Sequence, residues 1–203
     1  MKAKIEERVV SHKPAFAEGS LVLLRPLERT DLNERYLNWL NDPEVTRYTE
    51  TGSFPSSTED LDNYYGSMSG SRNDVLLAVE DKQSGKHIGN VKLGPIHWLH
   101  RSATFGILIG EKEFWGKGVG LEATRLMVEY GFERLNLHRI DLGVFAEHVA
   151  AVRCYEQAGF KLEGRMREDL FHDGEYKDRL WMGLLRSEYR LLRSTLGKSR
   201  KRR

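Results

Sequence analysis

The feature that constrains this chain most is a run of glycines at alternate positions, Gly116, Gly118 and Gly120. They separate an apolar run at residues 107–109 from a stretch with helical spacing, which predicts a strand, a tight turn and a helix in succession. Glycine permits positive φ angles and close backbone approach, and the first amides of a helix have no partner within it. The turn therefore predicts a cradle of N–H groups for an anion such as a phosphate, to which Lys117 adds positive charge.

Two known phosphate-binding motifs compete for this turn. The P-loop is excluded because no Gly-Lys-Ser or Gly-Lys-Thr closes a Gly-x-x-x-x-Gly spacing. The dinucleotide fingerprint fits better, since Gly118, Gly120 and Ala123 satisfy Gly-x-Gly-x-x-Ala and Asp141 lies 18 residues further on. That fingerprint belongs to the opening of a parallel sheet, whereas about a hundred residues of largely antiparallel pattern precede this turn. A connection that needs glycine only for its shape also remains open.

Outside the glycine turn, apolar residues recur at either the spacing of a β-strand or the spacing of an α-helix. Strand spacing predicts strands over residues 21–24, 75–79, 87–93, 103–109, 139–144, 161–166 and 179–184. Helical spacing predicts helices over residues 30–41, 56–68, 118–134 and 149–158. The second helix has Ser56 and Glu59 at capping-box spacing. Antiparallel pairs come first and strand-helix-strand units follow, so the sequence predicts one mixed α+β domain.

Composition and the terminal segments limit which partners, metal ions and cellular locations can be expected for this domain. A net charge of +2 over 203 residues gives the body no general attraction to nucleic acid, and only the basic tail at residues 190–203 is expected to make weak contact. No apolar run reaches about 18 residues and no signal peptide is apparent, so we expect a soluble, cytoplasmic protein without a membrane partner. The single cysteine, Cys154, and scattered histidines predict no metal site. We expect an N-terminal extension at residues 1–18 and the domain at residues 19–189.

A second motif lies at residues 148–160, and together with the glycine turn it resembles the GNAT superfamily of N-acetyltransferases. The family's cofactor turn, Gln/Arg-x-x-Gly-x-Gly/Ala, corresponds to Trp115-x-x-Gly118-x-Gly120, with Trp115 in place of the usual polar residue. Its later motif, Asn-x-x-Ala-x-x-x-Tyr-Glu-x-x-Gly-Phe, corresponds to His148-x-x-Ala151-x-x-x-Tyr155-Glu156-x-x-Gly159-Phe160. The resemblance extends over about residues 21–188 and is greatest to the branch of ribosomal-protein and amino-sugar acetyltransferases.

The resemblance implies a GNAT fold, with a twisted, mixed, mostly antiparallel sheet of about six or seven strands flanked by helices. Acetyl-CoA, as cosubstrate, would lie in a V-shaped splay between two parallel central strands, here residues 103–109 and 139–144. A bulge in the first strand would direct backbone amides at the thioester carbonyl. The implied cofactor contacts are Ile107, Leu108, Ile109, Trp115, Gly116, Lys117, Gly118, Val119, Gly120, His148, Ala151 and Tyr155.

The same resemblance assigns the catalytic candidates. Tyr155 would donate a proton to the departing thiolate. Many family members carry a glutamate in the strand before the cofactor turn, but Thr104 and Phe105 stand there, which leaves Glu111 as a weak candidate base. His148 replaces the common asparagine and is expected to act as base, to bind a relay water or to cap the following helix. We expect Cys154 to be an inert core thiol rather than a nucleophile.

The acceptor is left open among a peptide amine, an amino-sugar nucleotide and a small amine such as a polyamine. The aromatic residues expected to form a cleft for it are Trp39, Tyr48, Tyr64, Tyr65, His97 and Trp98. Acidic residues at 59, 60 and 62 would suit a cationic amine, although a solvated helix face explains them equally well. The alternatives to acetyl transfer in a ternary complex are a non-catalytic acyl-CoA-binding module and, more distantly, an NAD-dependent oxidoreductase. A homodimer is a further expectation.

Overall fold

One eight-stranded sheet organises the protein. A computed structural model describes residues 15–200 and the side chains of residues 15–195. The strands are β1 (Ala17–Glu18), β2 (Val22–Pro26), β3 (Val75–Asp81), β4 (His87–His97), β5 (Ser102–Ile109), β6 (Arg139–Phe145), β7 (Lys161–His172) and β8 (Glu175–Leu185). Their order across the sheet is β1-β2-β3-β4-β5-β6-β8-β7. Only β5 and β6 pair in parallel within this described part of the chain, which confirms the predicted mixed, mostly antiparallel sheet.

Six α-helices flank the sheet in residues 15–200. They are α1 (Glu34–Asn41), α2 (Pro43–Thr46), α3 (Thr58–Met68), α4 (Val119–Glu133), α5 (Val149–Ala158) and α6 (Arg186–Arg200). The predicted capping box at Ser56 and Glu59 is wrong by one residue, because Ser57 is the N-cap of α3 and exchanges hydrogen bonds with Asp60. Residues 190–200, which we expected in the basic tail, continue α6.

Side chains on the two faces of the sheet form two hydrophobic cores. The larger core joins one face to α4 and α5 through Val119, Met127, Phe132 and Tyr155. The smaller core lies on the opposite face, where Tyr36, Trp39 and Leu61 of α1 and α3 cover Ala78 of β3. The alternation of a β-strand explains the division, since Leu77 belongs to the first core and the adjacent Ala78 to the second.

The parallel pair of strands separates after a short contact. Ser102, Ala103 and Thr104 pair with Arg139, Ile140 and Asp141, and no further pair follows although both strands continue for several residues. The Thr104 hydroxyl donates to the Asp141 carboxylate at 3.0 Å and closes the apex of the V. The bulge we expected in β5 is misplaced, because the register shift lies in β4, where Leu93 to Ile96 oppose Phe105 to Ala103.

None of the helices in residues 15–200 has the length and apolar character needed to cross a bilayer. Across the same residues, no three histidine, cysteine or acidic side chains are grouped to hold a metal ion.

Candidate active site

The separation of β5 from β6 opens a slot that continues into a cleft of about 1130 Å³. Beyond Thr104 one edge of β5 has no strand partner, so polar groups of its backbone face the slot. Ile107, Leu108 and Ile109 all line the cleft. Because adjacent residues of a strand direct their amides to opposite edges, only alternate N–H groups of this segment can donate into the slot.

The glycine turn forms one end of the cleft, and two of its three glycines have the left-handed backbone that the sequence allowed, whereas Gly120 already lies within α4. Gly116 has a φ of 72° and Gly118, the N-cap of α4, has a φ of 83°. The first hydrogen bond of α4 runs from the Glu122 N–H to the Gly118 carbonyl at 3.0 Å. The three amides before Glu122 therefore have no partner within the helix, and they stand at its positive end. This geometry fits a pyrophosphate.

Trp115 fastens this turn to the end of β5. Its indole N–H donates to the Ile109 carbonyl at 2.8 Å, a bond that the polar residue usual at this position need not make. Lys117 does not line the cleft, and its ammonium lies 5.7 Å from the centre of the Phe114 ring. The positive side chains that line the cleft are instead Arg47, Arg153 of α5 and Arg179, none of which sequence reasoning singled out.

Tyr155 lines the cleft from α5 and is 9% exposed. Its ring meets Phe105 of β5 and Phe160 edge-on, with both centroid distances at 6.1 Å. Burial raises the pKa of the phenol well above its ordinary value. The side chain is therefore a neutral hydroxyl at physiological pH, which is the protonation state of a hydrogen-bond donor.

His148 also lines the cleft and stands at the N-cap of α5 without using its side chain to cap the helix. Its ring is stacked on Tyr48, with centroids 4.2 Å apart and planes 18° apart. Burial lowers the pKa of the imidazole, so the neutral form dominates at pH 7. The capping role considered from the sequence is thus wrong, and the ring remains able to accept a proton.

Glu111 lies outside the cleft wall. Its carboxylate accepts a hydrogen bond from the Trp39 indole at 3.2 Å and is 3.7 and 3.8 Å from the cations of Arg35 and Lys86. These contacts explain the residue as part of a surface polar cluster. Its placement gives no support to a role as base.

Cys154 is half-buried on the cleft wall rather than in the core where we expected it. Burial raises the pKa of the thiol, which reduces the thiolate fraction at pH 7. Low thiolate content is the opposite of what a nucleophilic cysteine requires.

A second cavity of about 380 Å³, here called the side cavity, lies on the face covered by α1 and α3. Its walls include Tyr36, Asp60, Tyr64 and Asn90. It meets the cleft along the residues that line both spaces, which are Thr49, Gly106, Ile107 and Leu108. The two spaces therefore reach the same stretch of β5 from two directions.

The aromatic residues expected to form one acceptor cleft are divided among several places. Tyr48 lines the cleft and Tyr64 lines the side cavity. Trp39 and Tyr65 belong to the smaller core. Trp98 and His97 are exposed at the far end of β4. Helical spacing placed Trp39, Tyr64 and Tyr65 on apolar helix faces but could not tell a cavity wall from a core, and it carried no signal for Tyr48.

Comparison with known proteins gives this geometry its chemical context. Residues 22–161 match the family model described as an acetyltransferase (GNAT) domain. The spermidine N(1)-acetyltransferase of Escherichia coli K12 is 34% identical over 179 residues, which are 88% of this chain and 93% of that protein. The spermidine N(1)-acetyltransferase of Vibrio cholerae is 37% identical over 172 residues, covering 84% of this chain and 96% of its own.

A solved structure agrees with these sequence matches. The crystal structure of spermidine N-acetyltransferase from Vibrio cholerae in complex with CoA and spermine aligns with a TM-score of 0.77 and 36% identity. The alignment covers 84% of this chain and 99% of that one. An NAD-binding doubly wound sheet is excluded, because neighbouring strands of the described sheet are antiparallel except β5 and β6. The splayed strands, the glycine cradle and these matches together show that the chain belongs to the GNAT family and is an acetyl-CoA-dependent N-acetyltransferase.

Proposed function

We propose that the acceptor is a small cationic amine of the polyamine class, with spermidine and spermine as its representatives. The observation that carries the proposal is the likeness to two spermidine N-acetyltransferases at 34% and 37% identity over most of each chain. A polyamine presents several ammonium groups along a flexible chain, so its binding requires carboxylates beside an open space.

Asp60 supplies such a carboxylate in the wall of the side cavity. Hydrogen bonds from the hydroxyl and N–H of Ser57 lower the pKa of Asp60, which keeps it ionised at neutral pH. Lys92, also in this wall, is paired with Asp74 at 3.0 Å, so its positive charge is offset. The balance of charge around the side cavity favours a cation.

Gly106 supports a passage from the side cavity to the reaction centre. It lines both spaces, and a Cβ atom added to it would meet nothing within 4 Å. A side chain at this position would occupy the space that joins them. We infer that the acceptor nitrogen reaches the thioester past Gly106 while the rest of the polyamine lies in the side cavity.

The catalytic roles follow from the positions on either side of this passage. Acetyl-CoA supplies the activated acyl group, and the turn at residues 115–120 would hold its pyrophosphate. Alternate amides of residues 107–109 would donate to the thioester carbonyl as negative charge develops there. Tyr155 would donate its phenol hydrogen to the sulfur that leaves.

The acceptor must lose a proton before it attacks, because alkylammonium groups titrate at about 10.4. His148 is neutral, lines the cleft and can take that proton directly or through an ordered water. Since β5 carries no carboxylate, we infer that no acidic residue of that strand shares this role.

A panel of acceptors tests the proposal. The purified protein with acetyl-CoA is offered spermidine, spermine, a peptide with an N-terminal alanine and a UDP-linked amino sugar, and CoA release and product mass are measured. We expect kcat/KM for a polyamine to exceed the others by at least about tenfold, a difference that one good polar contact can give. Turnover of the peptide or the amino sugar alone would refute the polyamine assignment.

Two carboxylates on α3 provide a matched pair for the same assay. Asp60→Asn is expected to raise KM for spermidine about two- to fivefold, as expected for one exposed ion pair. Asp62→Asn is the control, because Asp62 belongs to the same helix but does not line the side cavity and lies 3.5 Å from Arg29. Equal effects of the two substitutions would show that Asp60 acts only through the general charge of the helix.

A further inference from the structure

The first turn of α4 carries a carboxylate that binds the hairpin formed by β1 and β2. Glu122 accepts hydrogen bonds from three consecutive backbone amides, those of Ser20 at 2.8 Å, Leu21 at 2.6 Å and Val22 at 2.8 Å. These amides lie 100 to 102 positions earlier in the chain. Successive N–H groups that converge in this way form a backbone nest that matches an anion. The nest is filled here by a side chain of the protein itself.

The connection between β1 and β2, residues 19–21 and here called the N-terminal loop, is held on two sides. A Cβ atom added to Gly19 would stand 2.4 Å from the carboxyl carbon of Glu122, so glycine is needed for this close approach. From the other side, the ammonium of Lys82 donates to the Gly19 carbonyl at 3.0 Å. The backbone N–H of Lys82 donates to the Leu21 carbonyl at 2.9 Å. The position of the N-terminal loop is therefore well defined relative to α4.

Glu122 also contacts the glycine turn. Its backbone N–H donates to the Gly118 carbonyl at 3.0 Å and closes the first turn of α4. A methyl carbon of Leu21 lies 3.5 Å from the position that a Cβ atom would take on Gly118. Neither Glu122 nor Leu21 lines the cleft. The N-terminal loop thus packs against Gly118 from outside the cleft, and the side chain of Glu122 holds the loop there.

The charge of Glu122 and its contacts have opposite consequences for acetyl-CoA. A carboxylate near the positive end of α4 repels a pyrophosphate bound at the same end. If Glu122 acted through its charge alone, neutralising it would strengthen acetyl-CoA binding. If it acts by holding the N-terminal loop against Gly118, neutralising it would weaken acetyl-CoA binding, because the turn would lose its support. The sign of the change distinguishes the two roles.

We propose that Glu122 is a positioning residue for acetyl-CoA. By holding the N-terminal loop against Gly118, it keeps the amides of residues 119–121 ordered before the pyrophosphate binds, so less conformational entropy is lost on binding. The acceptor amine takes no part in these contacts. The role of Glu122 is therefore independent of whether the protein acetylates polyamines.

Glu122→Gln tests this role with a side chain of nearly equal size. The amide keeps one acceptor oxygen, but its NH2 group faces at least one backbone N–H, so the nest loses part of its hydrogen bonds. We expect Kd for acetyl-CoA, measured by calorimetry, to rise about three- to tenfold, less than the full effect of losing a hydrogen bond to a charged group. At saturating acetyl-CoA, kcat and KM for the acceptor should stay within about twofold of the wild type. Glu129→Gln is the matched control, because Glu129 lies on the same helix, 3.5 Å from Arg193, and it should leave Kd unchanged.

Leu21→Ala gives an independent measurement of the contact with Gly118. It removes the side chain that meets Gly118 but keeps the backbone amides that bind Glu122. Leu21 is 44% exposed, so the melting midpoint should change little. We expect Kd for acetyl-CoA to rise about two- to fivefold, since a half-exposed apolar contact contributes less than a charged hydrogen bond. The double variant with Glu122→Gln should fall short of the product of the two single effects, because both act through one contact.

Four outcomes would overturn the positioning role of Glu122. Tighter acetyl-CoA binding by Glu122→Gln would show that its charge dominates. A lower melting midpoint with unchanged Kd would show that Glu122 stabilises the fold without affecting the glycine turn. Equal weakening in Glu122→Gln and Glu129→Gln would assign the effect to the general charge of α4, and a double variant equal to the product would exclude a route through Leu21. Because acetyl-CoA binding is measured without an acceptor, an absence of polyamine turnover would refute the proposed function alone.

Discussion

Tyr155→Phe separates catalysis from packing more cleanly than other substitutions in the cleft. The phenol oxygen has no hydrogen-bond partner among residues 15–195, so its removal leaves no donor or acceptor stranded in the protein. The ring contacts with Phe105 and Phe160 persist in phenylalanine. We therefore expect the free energy of unfolding to change by less than about 1 kcal/mol.

The effect on turnover is expected to be much larger. A hydrogen bond to a charged group contributes about 1.5–3 kcal/mol, and the developing thiolate is such a group. Loss of that contact at the transition state alone corresponds to a fall in kcat of about 10- to 150-fold with KM for acetyl-CoA nearly constant. Because burial raises the pKa of Tyr155, wild-type kcat should show no alkaline loss from this residue up to about pH 9.

Single-turnover mixing with saturating acetyl-CoA and acceptor measures the chemical step directly. Tyr189→Phe is the matched control, because Tyr189 is also 9% exposed and is stacked on Phe132, but it does not line the cleft. We expect this control to keep wild-type turnover. A chemical rate in Tyr155→Phe within twofold of the wild type, or an equal loss in both variants, would refute the assignment of Tyr155 as the donor.

Three other substitutions test the cradle, the passage and the buried His87 of β4. Gly118→Ala and its control Gly70→Ala both place a side chain at a positive φ, 83° and 77° respectively, and each should lower the free energy of unfolding by about 1–2 kcal/mol. Only Gly118→Ala should also weaken acetyl-CoA binding, measured by calorimetry. Gly106→Val should abolish turnover of the acceptor without loss of acetyl-CoA binding. Gly164→Val on β7 is its control, because an added Cβ there also meets nothing within 4 Å, and this variant should retain activity. Burial lowers the pKa of His87 in the folded state, so the unfolded chain binds its proton more readily and stability is lost as pH falls below about 6.5. Urea unfolding between pH 7 and 5 should show a shallower pH slope for His87→Phe, and an unchanged slope would contradict this account.

The sequence predicted the parts of the fold whose signals are local. The glycine turn requires left-handed backbone at Gly116 and Gly118, and both residues adopt it. Helix α5 begins at Val149 and ends at Ala158 as its apolar spacing indicated, with Gly159 at the left-handed C-cap. Strand β1 escaped prediction because two residues carry no periodicity, and it exists only through its pairing with β2.

The site was harder to predict where it depends on contacts between distant segments. Glu111 has a suitable functional group, but its carboxylate is engaged by Trp39, 72 positions earlier in the chain. Asn90 carries no motif, and its placement depends on the register of β4 against β5. Strand β4 also carries His87, Lys92 and His97, so a polar residue in this strand did not by itself single out Asn90. Such a residue must find a partner when buried, and the identity of that partner is a tertiary property.

Because β5 and β6 pair over only three residues, the sheet consists of two units that are each held together by continuous main-chain hydrogen bonds. Strands β1 to β5 form one hydrogen-bonded ladder and β6, β8 and β7 another, and the backbone bridge between them ends at Thr104 and Asp141. Across the V, the halves depend on side chains of the shared core rather than on main-chain bonds. We therefore expect amide hydrogen exchange to report two opening units in the free protein. A ligand that forms hydrogen bonds with both β5 and β6 would link the two units. Protection of backbone amides from exchange would then rise together in both units.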